Sequence, residues 1–115
     1  GGTVIRSNRT RRATLRQRAA TTHAAAKIRR EGVATLATHA IAAGLGIKEA
    51  ASVADSLRDK AEKAGVVGIA GRAFRKGAAR PCTRYTQREV AALVALYRPR
   101  KLAYRTAAAR LALAA

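Results

Sequence analysis

The sequence predicts a mostly helical chain that carries one small β-hairpin and closes on a pair of helices. Three observations predict it. Apolar residues recur at three- and four-residue steps along most of the chain, the period of a helix with one buried face. Between residues 66 and 85 that period gives way to β-branched and aromatic residues on either side of a basic, glycine-containing turn. Gly32, Gly44, Gly46 and Gly65 divide the helical part before the hairpin, and Pro99 divides the part after it.

In chain order, Gly1-Gly2 reads as a tag-cleavage remnant, and residues 3–12 are polar and basic with no period that buries a face. They are expected to form a flexible arm. Helical character starts near Thr10–Ala13 and runs to Glu31, as one long helix or as two with a fresh start at Thr21-Thr22. Leu15, Ala19, Ala26 and Ile28 give it only a weak stripe. A second helix is expected over Val33–Ala43, with Val33, Leu36, Ala37, Ala40 and Ile41 on one face. Gly44-Leu45-Gly46 supplies a turn, since glycine enters a left-handed helix cap without a steric penalty.

The third helix runs from Ile47 to about Ala64, closed by Gly65, with Ile47, Ala50, Val53, Ala54, Leu57 and Ala61 inward. A hairpin follows over about Val67 to Tyr85, with its basic turn at Arg75–Pro81. Thr86-Gln87-Arg88-Glu89 matches a helix capping box and leads into Val90, Leu93, Val94 and Tyr97. Leu102–Ala115 is again helical.

Composition narrows the function. At 115 residues the chain is one domain, or one domain plus a fragment of a second. Alanine supplies most of its apolar share, with no Trp or Met, one Phe and three Tyr, so the core should be thin and its helices closely packed. Cys82 is the sole cysteine, which excludes an intramolecular disulfide and a thiolate metal cluster. His23 and His39 lie sixteen residues apart without cysteines beside them, so neither a metal nor a cofactor is expected. No acid pair, phosphate loop or Gly-x-Ser-x-Gly turn points to catalysis, and the chain is not expected to be an enzyme. It has no run of about twenty apolar residues to span a membrane, and no hydrophobic signal segment. A cytoplasmic, nucleoid-associated protein is the expectation.

Charge is distributed in three blocks. Residues 1–30 hold nine Lys/Arg and no acid, residues 31–64 four bases against five acids, and residues 65–115 eleven bases against Glu89 alone. Block charges of +9, −1 and +10 make up the net +18. Two basic segments around a near-neutral one suit a compact module that grips a polyanion, nucleic acid above all.

Within Leu36–Leu57, Ala40, Gly44, Leu45, Ala50 and Val53 are spaced as a small residue, a glycine four on, an apolar residue next, and apolar residues five and eight later. A small side chain at Ala40 lets two helices cross closely, and Leu45, Ala50 and Val53 close a core between them. With the basic hairpin behind it, this stretch resembles the winged helix-turn-helix family of DNA-binding domains. The resemblance covers about half the chain. It implies a flexible arm over residues 1–12, a winged domain over 13–85, and a C-terminal helix pair over 86–115.

By that resemblance Ile47–Ala64 is a recognition helix, with Lys48, Ser52 and Ser56 facing DNA bases or phosphates. Arg72, Arg75, Lys76, Arg80 and Arg84 form the wing, and Arg6, Arg9, Arg11 and Arg12 an arm that tracks a groove. Glu49, Asp55 and Asp59 depart from a phosphate-facing helix. Asp55 either accepts from a cytosine amino group or pairs with a neighbouring base, while Asp59 is expected to pair with Arg58, Lys60 or Lys63. The C-terminal pair is either a dimerisation arm, with Val90, Leu93, Val94, Tyr97, Leu102 and Leu111 as its buried face, or a chain cut partway into a second helix-turn-helix.

The partner implied is double-stranded DNA, bound by a homodimer, with no membrane or metal involved. The function implied is that of a small sequence-specific transcriptional repressor, or of an origin- or partition-binding factor of a plasmid or phage. The alternative is a sequence-neutral nucleic-acid binder, either chromosome-compacting or RNA-binding as in a ribosomal component.

Overall fold

The computed structural model describes the backbone of residues 2–75 and 77–115, and the side chains of residues 9–72 and 77–115. The chain is mostly α with one antiparallel hairpin, in the order α1 (Gly2–Glu31), α2 (Leu36–Ala42), α3 (Ile47–Ala64), β1 (Ile69–Arg75), β2 (Ala78–Arg84), α4 (Gln87–Val94) and α5 (Leu102–Leu113). No described helix is long and apolar enough to cross a membrane.

α1 is one helix, and it begins at Gly2 rather than near Thr10–Ala13, so the segment expected as an arm carries helical backbone. No glycine or proline interrupts Thr3–Glu31, and Arg, Ala, Gln and Lys propagate a helix well. Its packed side also differs from the weak stripe expected. Gln17, Ala20, Thr21, Ala24 and Ile28 turn inward, whereas Leu15 is 55 % exposed and Ala19 lies in solvent.

α2 is shorter than the expected Val33–Ala43. Thr35 caps it, its hydroxyl accepting from the Thr38 amide at 3.3 Å. Ahead of the cap the chain is extended, and Ala34 forms a bridge with Tyr85 through Ala34 N–H to Tyr85 O at 3.1 Å and Tyr85 N–H to Ala34 O at 2.8 Å. α3 has the bounds expected, with Gly65 in the left-handed region at its C-cap. Its inward side is Ala50, Val53, Ala54 and Leu57, while Ile47, expected there, is 77 % exposed.

The hairpin turn is tighter than the expected Arg75–Pro81. Arg75 pairs with Ala78, and the register continues to Ile69 opposite Arg84. Pro81 is tolerated because each strand of a two-stranded sheet has a free edge. Described hairpin side chains are exposed or half-buried, so the hairpin stands out from the body. Such a ribbon is marginal alone; here the Ala34–Tyr85 bridge ties its base to the body. Gly68, just before β1, has φ +74°, and a β-carbon there would lie 2.6 Å from Thr83 Cγ2, 2.8 Å from Tyr85 Cε1 and 2.9 Å from the Arg84 carbonyl. Only glycine fits that approach.

Thr86 and Glu89 form the capping box read from the sequence, with reciprocal bonds of 3.1 and 2.9 Å at the start of α4. One core joins α2, α3, Tyr85, α4 and α5, built on Leu36, Val53, Leu57, Val90 and Leu93. Six of its sixteen residues are alanine, which is how so few large side chains fill it. Val90, Leu93, Val94, Tyr97 and Leu111, five of the six residues read as a dimerisation face, are buried in this same core, and Leu102 is 75 % exposed. Short helices α4 and α5 fold back onto α2 and α3 instead of offering that face to a partner.

Candidate nucleic-acid interface

The α2–turn–α3 unit is closed as its spacing requires. Ala40, Leu45, Ala50 and Val53 are buried, and Gly44 has φ +106°. The carbonyls around the turn are satisfied from two other helices. Thr21 Oγ1 donates to Ile41 O at 3.1 Å, and Gln17 Nε2 to Leu45 O at 2.8 Å and Gly44 O at 3.4 Å. From the other side Arg110 Nη1 donates to Ala43 O at 2.9 Å. A β-carbon on Gly44 would lie 2.6 Å from that Arg110 nitrogen. Helix α1 and helix α5 thus clamp the turn that leads into α3.

A second tie holds the hairpin. His39, 1 % exposed in α2, donates from Nε2 to the Tyr85 carbonyl at 2.7 Å, the same oxygen that accepts from Ala34. A carbonyl only accepts, so Nε2 carries a proton. Burial holds this imidazole below the usual histidine range, with its backbone hydrogen bonds to Tyr85 and Ala34 opposing the shift.

On α3, Lys48 and Ser52 are exposed. Ser56 is half-buried, its hydroxyl donating to Ser52 O at 3.3 Å, and it lies beside Tyr97 rather than on the open side. Burial pushes the Tyr97 hydroxyl up, Tyr104 adds to the rise, and Ser56 pulls the other way. Asp55 pairs with Arg58 at 2.7 Å, with both side chains well exposed. In solvent such a pair contributes little stability. Glu49, Asp55, Asp59 and Glu62, four of the chain's six acids, lie on α3 and balance its Lys48, Arg58, Lys60 and Lys63.

Positive charge lies around α3 rather than on it. Arg9, Arg11 and Arg12 are exposed on α1, and so are Arg16, Arg18, Lys27, Arg29 and Arg30. At 3.6 residues per turn, Arg9, Arg12, Arg16, Lys27 and Arg30 fall along one side of the helix, a ridge of roughly 32 Å. The expected arm is therefore the end of a longer basic rod. In the hairpin, Arg72 and Arg80 are exposed, while Arg84 is half-buried and donates from Nη2 to Arg72 O at 3.1 Å across the strands. Lys76 lies outside the described residues, as do the side chains of Arg6 and Arg75. Arg88, Arg98, Arg100, Lys101 and Arg105 extend the cationic surface over α4 and α5. Lys101 Nζ sits 5.3 Å from the centre of the Tyr104 ring, and Arg98 Nη1 donates to the Ala95 and Tyr97 carbonyls.

Gln17, Thr21, His39, Tyr85 and Arg110 were not singled out by periodicity. The one local signal was polar Gln17 and Thr21 four residues apart on the side of α1 that also carries Ala24 and Ile28. Compared with protein-family models, with curated proteins and with solved structures, the chain matches none.

Proposed function

We propose that this chain is a winged helix-turn-helix protein that binds double-stranded DNA with a sequence preference, as a small repressor or an origin- or partition-binding factor of a plasmid or phage does. One observation carries the reading. The Ala34–Tyr85 bridge joins the extended link before α2 to the base of the hairpin, so that a cationic hairpin is held against a helix–turn–helix unit. Arg72, Arg80 and the α1 ridge then supply phosphate contacts, and Lys48 and Ser52 contact bases.

The acids of α3 support a preference rather than general affinity. A neutral helix between cationic flanks adds little to non-specific binding, and a carboxylate among phosphates is tolerated where a base edge offers it a donor, as cytosine does, or where a cationic side chain pairs with it, as Arg58 does with Asp55. A homodimer would meet through surfaces outside the core face of α4 and α5. The outer side of α5, where Leu102 and Leu113 are 75 % and 85 % exposed and three helical turns apart, is one apolar surface free for it.

The same acid-rich α3 favours one second reading, a sequence-neutral binder in which α1 and the hairpin do all the gripping. Selection from a random DNA pool at about 0.2 M salt with excess competitor separates the two. Enrichment of a motif supports the first; binding without enrichment that vanishes as salt rises supports the second.

A further inference from the structure

A cavity of about 310 Å³ opens where α1, α2, α4 and α5 meet, lined by none of the described residues of α3 or the hairpin. Its volume lies at the lower end of the range for small-ligand pockets, about 300–1,000 Å³. Ile28, Val90 and Leu111 give it apolar walls, all three well buried. Arg29 and Arg110 reach it from α1 and α5, and no carboxylate lines it. Arg110 is already positioned, because one guanidinium nitrogen is held by the Ala43 carbonyl at 2.9 Å. A guanidinium has five N–H donors in a planar fork, so others remain for an anion.

We propose that this cavity binds a small organic monocarboxylate, its single ring or branched chain seated on Ile28, Val90 and Leu111 and its carboxylate held by Arg110 and Arg29. The apolar walls select the body and the two guanidinium groups select the charge. Because Arg110 also holds Ala43 O, a bound carboxylate fixes α5 to the end of α2 and stiffens the turn before α3. The site stands on its own residues, whether or not the chain binds DNA.

The experiment is a titration of the full chain with benzoate, followed by amide NMR and calorimetry at constant ionic strength. Benzamide serves as the neutral isostere and inorganic phosphate as the plain anion. Saturable shifts are expected at Ala43, Gly44, Val90 and Leu111 with benzoate, and none that saturate there with benzamide or phosphate. Ala42→Leu, which places extra carbon in the cavity from its half-buried wall, should abolish those shifts while leaving the far-ultraviolet spectrum unchanged. Arg110→Gln should weaken binding about tenfold, the loss of one charge-assisted contact. Benzoate shifts that are absent, that phosphate reproduces, or that persist unchanged in Ala42→Leu would overturn the site. Equal affinity for benzamide would overturn the carboxylate assignment.

Discussion

Gly68 offers the sharpest test of how the hairpin is fixed to the helical body. It shares a left-handed backbone with Gly32 and Gly65, at φ +74°, +75° and +70°. The three differ in surroundings. A β-carbon at Gly32 or Gly65 meets nothing within 4 Å, whereas at Gly68 it meets three atoms inside 3.0 Å, one of them the Arg84 carbonyl. Alanine in the left-handed region costs about 1 kcal/mol wherever it is placed. Overpacking against a backbone atom that cannot rotate away adds about 2 kcal/mol. Gly68→Ala should therefore destabilise the fold by about 3 kcal/mol and Gly65→Ala or Gly32→Ala by about 1. At about 4 °C of Tm per kcal/mol for a chain of this size, those are falls of about 12 °C and about 4 °C. Urea and thermal unfolding measure both, and amide exchange at Ala34 and Tyr85 shows whether the hairpin base opens. Equal losses in all three variants would refute the idea that β2 and Tyr85 press against Gly68.

Three further outcomes are expected. His39 is neutral and depressed in the fold, so the unfolded chain binds the extra proton first: stability is full above about pH 6.5 and declines as pH falls from there through the lower folded-state value. His39→Gln, which keeps an N–H donor near Tyr85 O, should flatten that decline in urea unfolding between pH 4.5 and 7.5, and an unchanged slope would assign it to other groups. Replacing Arg72 and Arg80 with Ala should weaken binding to all DNA alike and reduce the log–log salt slope by about two units, one per lost phosphate contact; an unaltered slope removes the hairpin from the interface. Ser52→Trp should harm binding to a preferred site more than to random DNA, and an equal loss at both would place base reading elsewhere.

What the sequence revealed about this fold follows the range of the interactions involved. α3 was bounded correctly because its limits are local, a glycine turn before Ile47 and the Gly65 cap after Ala64. The Thr86–Glu89 box was equally plain, its two bonds spanning three residues. The inner face of α3 was mistaken only at Ile47, the end position, where the first helical turn projects past the core. What local pattern missed was distant. The His39–Tyr85 bond joins residues 46 apart and the Arg110–Ala43 bond residues 67 apart, and no period in either segment encodes them. Val33 and Ala34 were assigned to a helix because Val33 continues the apolar face of Leu36, Ala37, Ala40 and Ile41; the pairing of Ala34 with Tyr85 keeps this stretch out of the helix. The core face of α4 and α5 was visible as apolar, but its partner, the same chain's α2 and α3, was not. Of the candidate site, the exposed bases were evident from composition, while the clamp on the turn was not.

The charge layout also connects stability to binding. Among the described residues one ion pair forms, Asp55–Arg58, and it is intrahelical and exposed. The bases of α1, the hairpin and α5 therefore repel one another across a small body whose net charge is +18 and whose core is rich in alanine. Four of the six acids sit on α3, beside four bases of its own, so they relieve little of that repulsion elsewhere. The missing counter-charge has to come from outside. Simple salt supplies it by screening charges more than about 10 Å apart at 0.1 M, and the DNA proposed above would stabilise the fold to the extent that it binds the folded chain more tightly than the equally basic unfolded one. A polyanion bound across α1 and the hairpin, as proposed above, would stabilise the turn clamp and the Ala34–Tyr85 bridge together, since Gln17 and Thr21 belong to the first and Tyr85 ends the second.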